Sequence, residues 1–277
     1  MMPHPLPKVL IEPRQAWFQL DLAEVWHYRE LLYFLIWRDV KLRYQQTLIG
    51  MAWVIFQPLM TMLILALVFG YFAKIPSDGL PYTIFAFTAL IPWTYFAQSL
   101  NRSSGSLVNN ANLVSKVYFP RLIIPLASVI GPALDFLVSF TVLAVMMVWY
   151  GIVPNEGIAA LPFFMILTFM TALSLSLFLS ILYVKYRDIG HAVPFLIQIW
   201  MFASPVVYPV SLVPEQWRVL YSLNPMAGVI EGFRWALLGK TAPDFGVIAV
   251  SACVVTFLLV AGIVYFKKME QTFVDVI

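Results

Sequence analysis

The chain has 277 residues, 61% of them hydrophobic and only 11% charged, and its mean hydropathy of +0.85 excludes an ordinary soluble globular domain. Its net charge of +3 comes from basic residues scattered along the sequence, which leaves no footprint for nucleic acid. The single cysteine, Cys253, excludes an internal disulfide and reads as a small packing residue in an apolar run.

Residues 1–20, broken by Pro3, Pro5, Pro7 and Pro13, lack the continuous apolar core of a signal peptide and are expected to form an irregular cytoplasmic tail. Residues 21–42 read as an amphipathic helix. Asp21 can cap it with Glu24 three residues on, and Leu22, Val25, Trp26, Leu32, Tyr33, Ile36 and Val40 recur at helical spacing. Glu24, Glu30, Arg38 and Lys41 occupy the opposite face, so the helix should lie along the membrane surface; a soluble helix packed on a partner is the alternative.

Residues 43–277 then read as an all-α membrane domain of six spans. From Arg43 the chain enters a charge-free run ending at Phe72, long enough to cross a hydrocarbon core of about 30 Å. Lipid offers the backbone no partners, so such a run must be helical. Arg38, Lys41 and Arg43 precede it and place the N-terminus in the cytoplasm. Pro76, Asp78, Gly79 and Pro81 mark the outer turn, and Tyr82 to Leu100, with Pro92 inside, returns. In the polar loop that follows, Leu107, Ala111, Val114 and Tyr118 share one helical face, while Ser106, Asn109, Asn110, Asn112 and Lys116 point away. A short amphipathic helix is expected there, serving either a partner or only the surface.

The third span, Ile123 to Trp149, carries Asp135, a carboxylate that must face protein or water at such depth, for structure or for transport. The fourth, Leu161 to Val184, places Ala172, Ser176 and Ser180 four residues apart as a seam for close helix packing. A fifth apolar run extends from His191 to Val210, bent by Pro194, Pro205 and Pro209. Two shorter helices follow, Pro214 to Leu223 and Pro225 to Leu238, the second with Asn224 as cap and Gly239 just past its end. They hold Arg218, Glu231 and Arg234, so a re-entrant pair dipping into the outer leaflet fits better than a span. The sixth span, Phe245 to Phe266, ends at Lys267 and Lys268. Of the 17 Lys and Arg residues, only Lys74, Arg218, Arg234 and Lys240 then lie outside, which puts both termini in the cytoplasm.

Catalytic and metal signatures are absent from the sequence. His4, His27 and His191 are far apart with no acidic or cysteine ligand at metal spacing. Gly239-Lys240-Thr241 imitates the end of a phosphate-binding loop, but Arg234 stands where its first glycine would be. Trp53, Phe56, Met60 and Leu63 continue along one face of the first span beside Gln57. Glu231 and Arg234 stand one helical turn apart on the second short helix.

Arg43-Tyr44, Leu48, Gly50, Trp53, Gln57-Pro58 and Phe69, then VYFPRLIIPLASVI, KYRDIG and LNPMAGVIEGFRWALLG, occur in an order that resembles the permease subunit of type-2 ABC exporters for cell-surface polysaccharides such as O-antigen, capsule or teichoic acid. The likeness runs from about Leu31 to the C-terminus. It implies a lipid-linked polysaccharide as cargo, a second copy of the chain, and two ABC ATPase subunits that bind ATP and Mg, with no catalysis by this chain itself. It also implies a bacterial cytoplasmic (inner) membrane location, and a coupling helix that docks on the ATPase through Leu107, Asn110, Ala111, Val114, Lys116 and Tyr118, with Arg187 nearby. The Pro214 to Leu238 pair would then be an outer gate, which Glu231, Arg234 and Trp217 are expected to brace, and Trp53, Phe56, Gln57 and Met60 with Trp200 and Tyr208 of the fifth run would line the path, since aromatic faces suit sugar rings. A type-2 permease for a small hydrophobic compound or drug, and a non-transporting scaffold, are the competing readings.

Overall fold

The computed structural model describes residues 22–44, 52–239 and 244–270, and all of its regular structure is helical. The expected tail, the Asp21 cap and Lys240-Thr241 lie outside the described residues.

The surface helix forms as two pieces, α1 (Leu22–His27) and α2 (Arg29–Tyr44), joined through Tyr28, whose amide still reaches the Glu24 carbonyl at 3.2 Å. Its faces are divided differently from the expectation. Leu35 is buried in a cluster with Leu107, Phe119, Ile123 and Phe266, whereas Trp26, Tyr33, Phe34 and Trp37 are exposed. Apolar residues ring this helix, so the packed face is the one that meets the bundle rather than the one with the fewest charges.

The first apolar run is α3 (Ala52–Leu65), continued by a π-wound segment, Ala66–Phe72. The returning helix, α4 (Tyr82–Ser104), is buried on every face from Ile84 to Trp93 and forms the axis of the molecule. Beyond it the expected loop helix breaks at Asn110 into α5 (Ser106–Asn109) and α6 (Ala111–Lys116). The third run also divides, into α7 (Ile123–Ile130) and α8 (Ala133–Trp149), at Gly131-Pro132, where proline removes a helical donor. Asn155 caps a 3-10 turn that opens α9 (Leu161–Lys185), accepting from the Gly157 amide at 2.9 Å. Ala172, Ser176 and Ser180 are fully buried in α9.

The fifth apolar run departs most from expectation. Helix α10 (Ile189–Phe202) stops eight residues short of Val210, because Pro205 and Pro209 cannot supply amides to continue it. Residues 203–209 continue from it as irregular chain with Val206 and Val207 buried. Helices α11 (Glu215–Ser222) and α12 (Pro225–Leu238) follow as the sequence indicates, with Asn224 capping the Met226 amide at 3.1 Å and Gly239 ending α12 at φ 64°. Helix α12 is enclosed, however: Met226, Val229, Ile230, Phe233 and Ala236 are fully buried. Gly232 makes this possible, since a Cβ there would stand 2.0 Å from the Phe164 ring. The last helix, α13 (Phe245–Glu270), packs along α9 and α12. Cys253 is exposed on it, not packed inside.

Among the described residues, four runs are long and apolar enough to cross a membrane: Ala52–Phe72, Ile123–Trp149, Glu156–Lys185 and Phe245–Glu270. Helix α4 has the length, with 23 residues, but carries polar groups on the side described next. Helix α10 has 14, about 21 Å of helix, and does not by itself match the bilayer core.

Candidate functional site

The end of α2 and the flanks of α3, α4 and α8 enclose a cleft of about 310 Å³. Each long helix brings polar residues at four-residue spacing, which stacks them on one face. Helix α3 supplies Trp53, Gln57 and Thr61; α4 supplies Thr94, Gln98 and Arg102; α8 supplies Asp135 and Ser139. From Thr94 to Arg102 the row runs about 12 Å along the axis of α4. A polar stripe of that length inside apolar helices is costly unless it is hydrogen-bonded, hydrated or occupied.

Arg43 closes the cleft at the α2 end and donates from Nη1 to the Asp135 carboxylate in an ion pair that is largely withdrawn from solvent. Asp135 therefore holds the end of α2 against α8, 92 residues away in sequence. Tyr95 fixes the kinked wall, donating to the Val129 carbonyl at 2.9 Å and meeting Phe136 edge-on at 5.7 Å. Thr61 and Thr94 donate to carbonyls of their own helices, leaving their oxygens able to accept. Gln98 Oε1 is buried and has no hydrogen-bond donor among the described residues. Arg102 lines the same wall.

The face expected of α3 is thus rotated. Trp53 and Gln57 line the cleft, but the row continues through Thr61, leaving Phe56 and Met60 off it. Phe56 is half-exposed and packs its ring 5.6 Å from that of Trp53.

Trp200 and Tyr208 stand elsewhere. The Trp200 indole donates to Asn224 Oδ1 at 3.0 Å and meets Phe96 edge-on, while Tyr208 donates to the Phe202 carbonyl at 3.2 Å and accepts from Tyr221 at 3.1 Å. Both belong to the base of the α11/α12 hairpin. Asn224 organises that base: it accepts from Trp200 and Met226 and donates to the Ala203 carbonyl and Ser204 Oγ at 3.2 and 2.9 Å. Ser251 of α13 ties in from the other side, donating to the Ser222 carbonyl at 2.9 Å and accepting from the Gly228 amide at 3.2 Å.

The expected brace between Glu231 and Arg234 takes another form. Arg234 is buried, lies 3.5 Å over the Phe85 ring, and donates to the carbonyls of Val206 (2.9 Å), Tyr208 (3.3 Å) and Phe85 (3.4 Å). It satisfies the irregular 203–209 segment rather than forming a close ion pair with Glu231. The Glu231 carboxyl is pushed above its ordinary range, by burial first and against the pull of Arg234. Trp217 is half-exposed on α11, away from these bonds.

In the loop group, Leu107 and Val114 are buried in the cluster under α2. The loop follows the local shape of that cluster instead of a single straight helix. Asn110 accepts from Arg38 at 3.0 Å and donates to the Ser106 carbonyl at 2.8 Å, which locks the break in place. Ala111 is half-buried, whereas Lys116, Tyr118 and Arg187 are exposed. Gln98, Arg102, Thr94, Thr61 and Ser139 were missed by sequence reasoning, though their spacing of four within apolar helices was a readable signal.

A helical bundle with several membrane-length runs and a polar cleft let into its apolar body defines a multi-pass membrane protein built for transport. The chain belongs to the ABC-2 type transporter family, which matches residues 30–238. It is 27% identical over 256 residues to the O-antigen export system permease protein RfbA of Myxococcus xanthus, covering 92% of this chain and 98% of that one. A Klebsiella pneumoniae protein of the same description is 27% identical over 90% of this chain and 95% of its own. The polysialic acid transport protein KpsM of Escherichia coli is 25% identical over 73% and 78% of the two chains.

Proposed function

We propose that this chain is the membrane-spanning permease of an ATP-driven exporter that moves a lipid-linked polysaccharide from the cytoplasmic to the outer side of a bacterial inner membrane. The observation that carries the reading is similarity along nearly the whole chain to permeases of O-antigen export, joined to a polar cleft set among apolar helices. A small hydrophobic cargo would not call for such a row of hydrogen-bonding groups.

In this reading α4 and α10 complete six spans, with α10 lengthened by the buried 203–209 segment, and both termini are cytoplasmic. Irregular backbone is tolerable at membrane depth where protein encloses it, and Arg234 supplies that condition. The α11/α12 pair enters from the outer side without crossing. Trp26, Tyr33, Phe34 and Trp37 rest on headgroups. Two copies of the chain pair with two ABC ATPases that hold ATP and Mg, and the exposed Lys116, Tyr118 and Arg187 meet those subunits. Deleting the chain and restoring it from a plasmid tests the proposal. Surface polysaccharide should vanish and return, with polymer retained inside the deletion strain; unchanged surface polymer in the deletion strain refutes it.

A further inference from the structure

We infer that the cleft between α3, α4 and α8 binds a glycosyl phosphate, the joint between a carbohydrate and its lipid, with Arg102 on the phosphate and Gln98 on a sugar hydroxyl. This rests on the export reading and adds the chemical group recognised. Charge is the first argument. Arg43 and Asp135 neutralise one another, and among the described residues no other acidic side chain lines the cleft, so Arg102 leaves that lining with one net positive charge. A planar guanidinium near low-dielectric walls is suited to a phosphate, which it can bind through two parallel hydrogen bonds.

Hydrogen-bonding capacity is the second argument. Gln98 lies four residues before Arg102 on α4, and its Oε1 is a buried acceptor with no donor. An ionised phosphate has no proton to give it, whereas a sugar hydroxyl does. Oxygens of Thr61, Thr94 and Ser139 continue this accepting row deeper along the cleft. Trp53 adds an exposed aromatic face at the rim, where ring C–H groups can pack. The volume, about 310 Å³, lies at the lower end of small-ligand sites and admits a linkage group, not a polymer. An apolar tail has an exit as well, since Ile55, Phe56, Leu63 and Ile64 are exposed on the same helix.

The test uses the full chain in nanodiscs of phosphatidylcholine, with calorimetric titration of four probes: farnesyl pyrophosphoryl N-acetylglucosamine, farnesyl pyrophosphate, farnesol and inorganic pyrophosphate. Saturable binding of the first, weakening as salt rises, is expected, with farnesol and inorganic pyrophosphate at least about tenfold weaker. Arg102→Gln should lose about tenfold or more in affinity, Arg102→Lys should recover part of it, and Gln98→Leu should weaken the glycosylated probe but not farnesyl pyrophosphate. Equal binding by inorganic pyrophosphate assigns the cleft to free anions and overturns the lipid-linked ligand. Parental affinity in Arg102→Gln overturns the site. If Arg102→Gln does not fold, the Gln98→Leu comparison and the salt dependence of the parent decide the same question. The deletion experiment above is independent: loss of surface polymer there together with parental binding by Arg102→Gln rejects the cleft assignment while leaving the export function standing.

Discussion

Replacing Arg234 with methionine preserves much of the side-chain volume but removes the guanidinium donors to residues 203–209, leaving Asn224 and Tyr82 as the side chains that still hold that segment. The carbonyls of Val206, Tyr208 and Phe85 lose a charged partner, at 2.9, 3.3 and 3.4 Å, and the Phe85 ring loses the guanidinium above it. Leaving a buried acceptor unsatisfied costs about 1–3 kcal/mol, and a desolvated cation–π contact contributes about 2 kcal/mol. The two longer bonds count for less, and methionine recovers some apolar contact and avoids burying a charge, so a net loss of about 3–5 kcal/mol is expected. Thermal unfolding of the detergent-solubilised protein measures it. A local readout separates this latch from general damage: in a Cys253→Ser background, a cysteine at Val207 should be alkylated slowly in the parent and at least tenfold faster with Arg234→Met. Arg234→Lys, with a compact ammonium in place of the fork, should fall between them. Unchanged unfolding temperature together with unchanged alkylation refutes the latch.

Asp135→Asn leaves Arg43 facing a neutral partner and should destabilise by about 3–5 kcal/mol, whereas Arg43→Gln combined with Asp135→Asn should cost less than the two changes added, as a double-mutant cycle will read. Lys116→Glu with Tyr118→Ala should leave unfolding free energy within about 0.5 kcal/mol of the parent while reducing copurification with the ATPase; Val114→Asp, by contrast, should lower stability, because Val114 is buried. In sealed cells lacking the native cysteine, cysteines at Ser77 and Asn155 should react with an impermeant reagent and one at Asn110 should not; labelling of Asn110 inverts the topology.

What was legible in the sequence depended on how local the cause was. Long charge-free runs must become helices in lipid, and the stops at Asn224-Pro225 and Gly239 are set by the residues themselves, so α11 and α12 appeared close to where they were read. Long-range partnerships carry no comparable mark. Arg43 and Asp135 are 92 positions apart, and nothing in either neighbourhood names the other. Arg234 looked as if it belonged to Glu231 because helical spacing suggests that pair, yet the need of three enclosed carbonyls took precedence. The face of α3 that lines the cleft is hidden for a related reason: its aromatics recur at spacing three, while the row through Trp53, Gln57 and Thr61 runs at spacing four. In the loop helix, Leu107 and Val114 satisfy a core beneath α2, a demand invisible in a stretch considered alone.

The Asn224 amide spends both lone-pair directions and both protons on four different groups. Since an indole and a backbone amide can only donate, its orientation is forced, and aspartate, with no protons to offer, cannot stand in for it. The end of α10, the start of α12 and, through Ser251, α13 are thereby welded at one point. A stroke that tilts α10 must carry the α11/α12 pair with it as one lever, because pivoting between them means breaking several bonds at once. Any relative movement of these helices would therefore have to be taken up elsewhere in the chain, because the Asn224 junction moves as one piece.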